Sequence, residues 1–360
     1  MRDCKVLSRR DVLRGTAAAA LAATLQAPPI ARAADRSLRV STFGGYFERM
    51  FAQHVYPAFT RATGIRVQSV EQGEGAQFLF QLAAANKAGR PPMDVCCCDG
   101  VQVMQGRGQN LWRTLNPARI PNLTQLPTRC VGQGGGPLDS IGAMSWYMTM
   151  VVNPSELGGA LPNSWAALWD MPRTAWGIQA GSPSVIFEIA AHLFLGGIEA
   201  LARKEGIDAA LTRIATLRKN VTLWWQDEGT MQTALLNDEV AGGTYIHDTA
   251  MVMIRNGTTV RSIFPKEGAV ENTNYWCQPS TSSKVAEAEE FLNFCATPLA
   301  QELIARHVGS APVMERAKLR LSDQEFAMVA PSGPVIASAT EAHYRFSDYM
   351  ERQFIRMVTS

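Results

Sequence analysis

The chain has 360 residues, 46% hydrophobic and 18% charged, with a formal net charge of +2. That length exceeds one small core and suits two lobes, and the composition excludes a disordered or fibrous chain. With no Lys/Arg cluster beyond the first 33 residues, a nucleic-acid or anionic-membrane surface is not expected.

Residues 1–33 read as an export signal. Ser8-Arg9-Arg10-Asp11-Val12-Leu13-Arg14 sets paired arginines ahead of an alanine-rich apolar run from Gly15 to Leu25, and Ala31-Arg32-Ala33 offers small residues at a cleavage point. The pattern is of the twin-arginine type, and its run is about half the ~20 residues that span a bilayer. The mature chain is expected to begin near Ala34, to be soluble and to work in the periplasm. The leader holds six basic and two acidic residues, so the mature chain carries a formal charge of about −2.

Past the leader, strands and helices alternate. Leu38 to Thr42 alternates like a strand, Gly44-Gly45 breaks it, and Phe47, Met50, Phe51, Val55 and Phe59 recur at helical spacing. Pro57 should kink that helix or begin a fresh turn, Gly64 should close it, and Ile65 to Val70 reads as the second strand of a β-α-β unit. A helix around Phe78 to Asn86 precedes the strand Asp94-Val-Cys-Cys-Cys-Asp99. There Cys96, Cys97 and Cys98 read as small buried hydrophobes, and with Cys130, Cys277 and Cys295 scattered, no disulfide framework is spaced out. Cys96 and Cys98 share a strand face, but no His or further Cys is near in sequence, so neither a metal nor a cofactor is expected. Gly132 to Gly136 reads as a surface loop.

The second half repeats this grammar. Ser164 to Trp169 reads as a short capped helix, Trp176 to Gln179 as a strand, Ser184 to Leu195 as an apolar helix, and Val240 to Ile246 as a strand delivering His247-Asp248. Trp224-Trp225-Gln-Asp227-Glu228 leads into a helix at Met231 to Leu236, with Glu228 a minor site candidate, and Val285 to Cys295 is an amphipathic helix ended before Pro298. Repeated units of this kind imply an α/β protein with a largely parallel sheet and ligand chemistry at the C-terminal strand ends.

The ordered succession of Phe43-Gly-Gly-Tyr46, Thr63-Gly-Ile-Arg-Val67, Asp94 to Asp99, Val152-Asn-Pro154, Ser164 to Trp169, Phe264-Pro-Lys-Glu-Gly268 and Phe291-Leu-Asn-Phe294 resembles the spermidine/putrescine-type periplasmic solute-binding proteins of ABC transporters. The resemblance covers most of residues 36–316. It implies a two-lobed type II periplasmic-binding fold, each lobe a mixed, mainly parallel sheet flanked by helices. Lobe 1 would comprise 36–142 plus 278–315, and lobe 2 143–277 plus 316–360. It further implies a monomer that closes on one small ligand and docks on an ABC permease in the inner membrane.

In such proteins the first strand-end loop supplies aromatics that sandwich an amine, and Phe43 and Tyr46 occupy those positions. Ser182 and Val185 stand where polyamine binders carry carboxylates, and Asn272 and Asn274 where they carry a tryptophan and an amine-gripping aspartate. Losing those acids argues against a long polycation. Asp99 and Asp248, each at a strand end, remain as amine partners or as helix caps; His247, Trp146 and Tyr147 are further candidates for the cleft wall or for packing. The expected cargo is a small amine-bearing metabolite. A carboxylated, phosphonate or metal-chelate solute, or a role in presenting ligand to a sensor, fits the same fold. The chain carries no Gly-x-Ser-x-Gly, His-Glu-x-x-His or Ser-x-x-Lys signature, so an exported enzyme is not expected and no catalytic residue is assigned.

Overall fold

A computed structural model describes residues 36–73, 75–158, 161–171, 174–181 and 184–359. The expected leader at 1–33 and Ser182 lie outside the described residues.

Among the described residues, ten strands run β1 Ser37–Phe43, β2 Arg66–Gln72, β3 Val95–Asp99, β4 Ser140–Val152, β5 Trp176–Gln179, β6 Val221–Trp225, β7 Gly242–Ile246, β8 Arg261–Ile263, β9 Ala269–Cys277 and β10 Val335–Ala337. The sheet order is β2-β1-β3-β9-β4-β7-β5-β6, with β8 on β4 and β10 on β9. β1 is parallel to β2 and β3, and β5 is parallel to β6 and β7, as repeated β-α-β units require. Between these parallel sets run β4 and β9, antiparallel to each other and to their outer neighbours β7 and β3.

Two large apolar cores flank the sheet, with a smaller third around Phe78, Leu82, Cys98 and Tyr275. The first gathers Leu38, Val40, Phe51, Phe59, Trp276 and Phe291; the second gathers Trp165, Trp176, Phe187, Trp225 and Tyr245. β4 passes from one to the other: Ile141 and Met144 pack in the first core, Met148 and Met150 in the second. The fold class is thus the two-lobed α/β architecture, with two long strands as the crossings. Leu319, Leu321, Val329 and Ala330 pack in the first core before Ile336 joins the second.

Local signals explain the elements around the strand ends. Gly45 takes φ +68° at the turn after β1, a left-handed conformation that favours glycine. Pro57 begins the helix Tyr56–Thr63 directly after a π-helical turn at Phe51–Val55, because its missing N–H cannot continue the ladder, and Gly64 at φ 73° closes it. Gly132–Gly135 forms a helical turn rather than a bare loop, with Arg107 Nη2 donating to the Gly132 carbonyl at 3.0 Å. The cysteines at 96, 97, 98, 130, 277 and 295 are all buried and unpaired, and burial pushes the thiols of Cys97, Cys98 and Cys295 well up, which suits inert packing. Among the described residues, no helix is long and apolar enough to cross a membrane.

Candidate functional site

The final residues of six parallel strands meet at one cavity: Phe43, Gln72, Asp99, Gln179, Trp225 and Ile246 all line it. Its volume is about 1080 Å³, ample for a small solute. This is the place where an α/β sheet offers side chains and loop backbone beyond its strand ends. β4 and β9 contribute Trp146, Asn272 and Asn274 between the two sets.

Seven of the nine residues expected at the site line the cavity: Phe43, Tyr46, Asp99, Trp146, Asp248, Asn272 and Asn274. Phe47 adds a third aromatic and stands edge-on to Tyr46, ring centres 6.0 Å apart. The Tyr46 hydroxyl donates to the His307 carbonyl at 3.2 Å and accepts from Arg255 Nη2 at 3.4 Å, which fixes the ring. Trp146 lies directly across the β4/β9 ladder from Asn272 and donates Nε1–H to Asn274 Oδ1 at 3.4 Å. Asn272 Nδ2 is buried without a protein partner.

Tyr147 and His247 fall outside the cavity lining. Successive residues of a strand face opposite ways, so Trp146 on the cavity side sends Tyr147 into packing against Phe264, ring centres 5.8 Å apart. His247 is held by Ser262 Oγ at 2.8 Å from Nδ1 and by the Met328 carbonyl at 3.0 Å from Nε2. A carbonyl can only accept, so Nε2 carries the proton and the Ser262 hydroxyl donates to Nδ1. Burial pushes this imidazole down to about 4, which keeps it neutral.

The two expected acids sit differently. Asp99 is the N-cap of the helix Gly100–Gly108, its Oδ1 accepting from Gln102 N at 2.8 Å while Gln102 Oε1 accepts from Asp99 N at 3.0 Å. Burial raises its carboxyl above the ordinary value against these capping bonds. Asp248 is 5% exposed, accepts from Ser310 Oγ at 3.0 Å and from Thr249 N at 2.8 Å, and is raised by burial to about 6. Asp248 is buried and Asp99 half-buried, and both face the cavity.

Sequence reading missed most of the other charge. Glu71, Glu188 and Asp227 line the cavity together with Glu228, while no Lys or Arg does among the described residues. Asp227 caps the helix Glu228–Leu236 through Thr230 N at 2.9 Å. Glu188 is fully buried on the helix Ile186–Phe194, where its Oε1 accepts from His343 Nε2 at 2.8 Å and from Ala339 N at 2.9 Å. Burial would raise this carboxyl, but the charge of His343 and these hydrogen bonds outweigh it and hold it below its ordinary value. A lone acid within the apolar run Ile186-Phe-Glu-Ile-Ala-Ala191 was the available signal. His343, from the C-terminal helix Thr340–Thr359, offered none until that helix was placed. Among the described residues, no cluster of three or more His, Cys, Asp or Glu is arranged for a metal ion.

Comparison with known proteins agrees with this geometry. The sequence pattern described as "Bacterial extracellular solute-binding protein" matches residues 55–329. No curated protein matches. Among solved structures, an ABC transporter substrate-binding protein from Bradyrhizobium japonicum USDA 110 superposes with a TM-score of 0.78 at 16% identity, covering 89% of this chain and 99% of that one. The PBP MotA from A. tumefaciens B6, in complex with glucopine, gives 0.72 at 16% identity over 89% and 99%. A spermidine/putrescine ABC transporter substrate-binding protein from Streptococcus pneumoniae gives 0.73 at 18% identity over 90% and 99%. At these identities the likeness is one of fold.

Proposed function

The chain belongs to the bacterial extracellular solute-binding family, and from that premise we propose that it is the periplasmic component of an ABC importer, capturing a small amine-bearing metabolite and delivering it to a membrane permease. The observation that carries the amine is electrostatic. Glu71, Asp99, Glu188, Asp227, Glu228 and Asp248 surround one cavity to which no Lys or Arg contributes among the described residues. Glu71, Asp227 and Glu228 are exposed, Asp99 is half-buried and Glu188 pairs with His343, which leaves Asp248 as the buried acid with no cation in hydrogen-bond contact among the described residues. A buried carboxylate is costly without a cation, and an ammonium supplies one. Phe43, Tyr46, Phe47 and Trp146 give apolar faces for the ligand's carbon skeleton and attract its charge.

In this reading the lobes hinge on β4 and β9, close over the ligand, exclude water and present a permease-competent shape. The aromatics at 43 and 46 hold the skeleton, Asp248 grips the ammonium, and Asn272 and Asn274 supply neutral hydrogen bonds. That a spermidine/putrescine protein shares the fold is in keeping with an amine cargo.

Mass spectrometry of whatever co-purifies with the mature chain, followed by calorimetry against organic amines, carboxylates and phosphonates, tests this. Saturable one-to-one binding of an unchanged amine is expected. Tight binding confined to anions lacking an amino group would overturn the cargo while leaving the transport role.

A further inference from the structure

The cavity's acidic lining contains one basic group, and it is spoken for from within. His343 is 2% exposed and Glu188 is fully buried, and the two are joined through Nε2 and Oε1 at 2.8 Å. The carboxylate has one other donor, the Ala339 N–H, while its Oε2 and the imidazole Nδ1 have no protein partner. Both residues line the cavity. A carboxylate buried this deeply, with a single backbone bond and no cation, would be expensive to keep ionised. Asp99 lines the same cavity from the end of β3. His343 therefore gives Glu188 the positive partner that a ligand ammonium would otherwise have to supply.

We propose that His343 is a built-in counter-cation that sets how much positive charge the cavity accepts: by pairing with Glu188 it supplies one cation internally and disfavours ligands bearing a second ammonium. The proposal rests on the amine reading above and names a charge class within it. It accounts for a lining rich in acids in a chain that lacks the carboxylates polyamine binders carry at the positions of 182, 185 and 274. With Glu188 neutralised, Asp248 is the buried acid left to meet a ligand. His343 acts through Glu188, so it is a specificity-determining residue whether or not it touches the cargo.

The experiment compares two probes with the same skeleton, n-butylamine and 1,4-diaminobutane, by calorimetry on the mature chain. His343→Gln retains a donor for Glu188 Oε1 but brings no charge. The preference for diamine over monoamine is expected to rise at least about tenfold, and adding Glu188→Gln should remove that gain. A staple that merely holds the C-terminal helix would change both affinities together and leave their ratio alone. An unchanged ratio in folded His343→Gln overturns the proposal and spares the amine reading. Failure of the wild-type chain to bind either amine removes both. If the variant does not fold, imidazole ¹⁵N shifts of the wild-type chain decide: a charged His343 ring in the unliganded protein is expected, and a neutral one overturns the proposal.

Discussion

The two walls of the cavity occupy the same topological position and carry different chemistry. Around the ends of β1, β2 and β3 stand Phe43, Tyr46 and Phe47 with two acids, Glu71 and Asp99; around the ends of β5, β6 and β7 stand Trp225 and four acids, Glu188, Asp227, Glu228 and Asp248. Parallel strand ends fix where a ligand sits, and the loop and helix residues beyond them decide what it is. The division suits a molecule with an apolar skeleton and a charged head. Even matching acids differ: Asp99 is engaged in a capping box, whereas Asp248 is buried with a hydroxyl and one N–H and no cation in hydrogen-bond contact.

The strongest way to break this contrast is to remove the Asp248 charge. Asp248→Asn should lower amine affinity by about a hundredfold, the scale for deleting one member of a buried charge pair. The same change should stabilise the unliganded chain. Burial lifts this carboxyl from 3.8 to about 6, so the unfolded chain ionises first and stability falls as pH rises from about 4 to 6. Above that window the penalty is about 3 kcal/mol, and the neutral amide escapes it. Weaker binding with a higher unfolding midpoint is the expected pair of results from calorimetry and thermal melts. Unaltered affinity would remove Asp248 from the site.

A smaller effect comes from pH alone. An aliphatic ammonium stays charged from pH 7 to 5, so its affinity should fall about tenfold across that range as Asp248 takes up a proton near 6. In Asp248→Asn the profile should flatten; an equally steep profile there would assign the titration to another group. On the opposite wall, Phe43→Ala should cost about five- to tenfold through lost packing and cation–π attraction, with little dependence on pH.

The aromatic wall was legible in the sequence because Phe43-Gly-Gly-Tyr46 lies directly after a strand, so strand end and site coincide within a few residues. Asp99 and Asp248 were legible for the same reason. The rest of the acidic wall, Glu228 apart, was not. Glu188 sits on a helix whose apolar pattern reads as core, and its partner His343 arrives 155 residues later on a helix that no local pattern ties to the cavity. β4 and β9 went unread as strands because both are buried along most of their length and lack a clean period of two. The β-α-β grammar, the Gly64 cap and the stop before Pro298 needed only local chemistry and emerged as expected.

The finest test uses two neighbours in sequence, His247 and Asp248, which point to different surroundings. Outside the cavity, His247 should matter to stability and not to ligand, so His247→Gln should leave Kd within about twofold while costing about 1–2 kcal/mol at pH 7.5 through disturbed bonds to Ser262 and Met328. Its pH dependence runs opposite to that of Asp248. Burial lowers the imidazole from 6.5 to about 4, so the unfolded chain protonates first and the folded state loses stability as pH falls through that window. Glutamine does not titrate there, so the deficit of the variant should shrink by about 2 kcal/mol between pH 7.5 and 4.5. Denaturant melts at the two pH values measure this. A constant deficit would mean that His247 is charged in the fold, and a tenfold change in Kd would return it to the site.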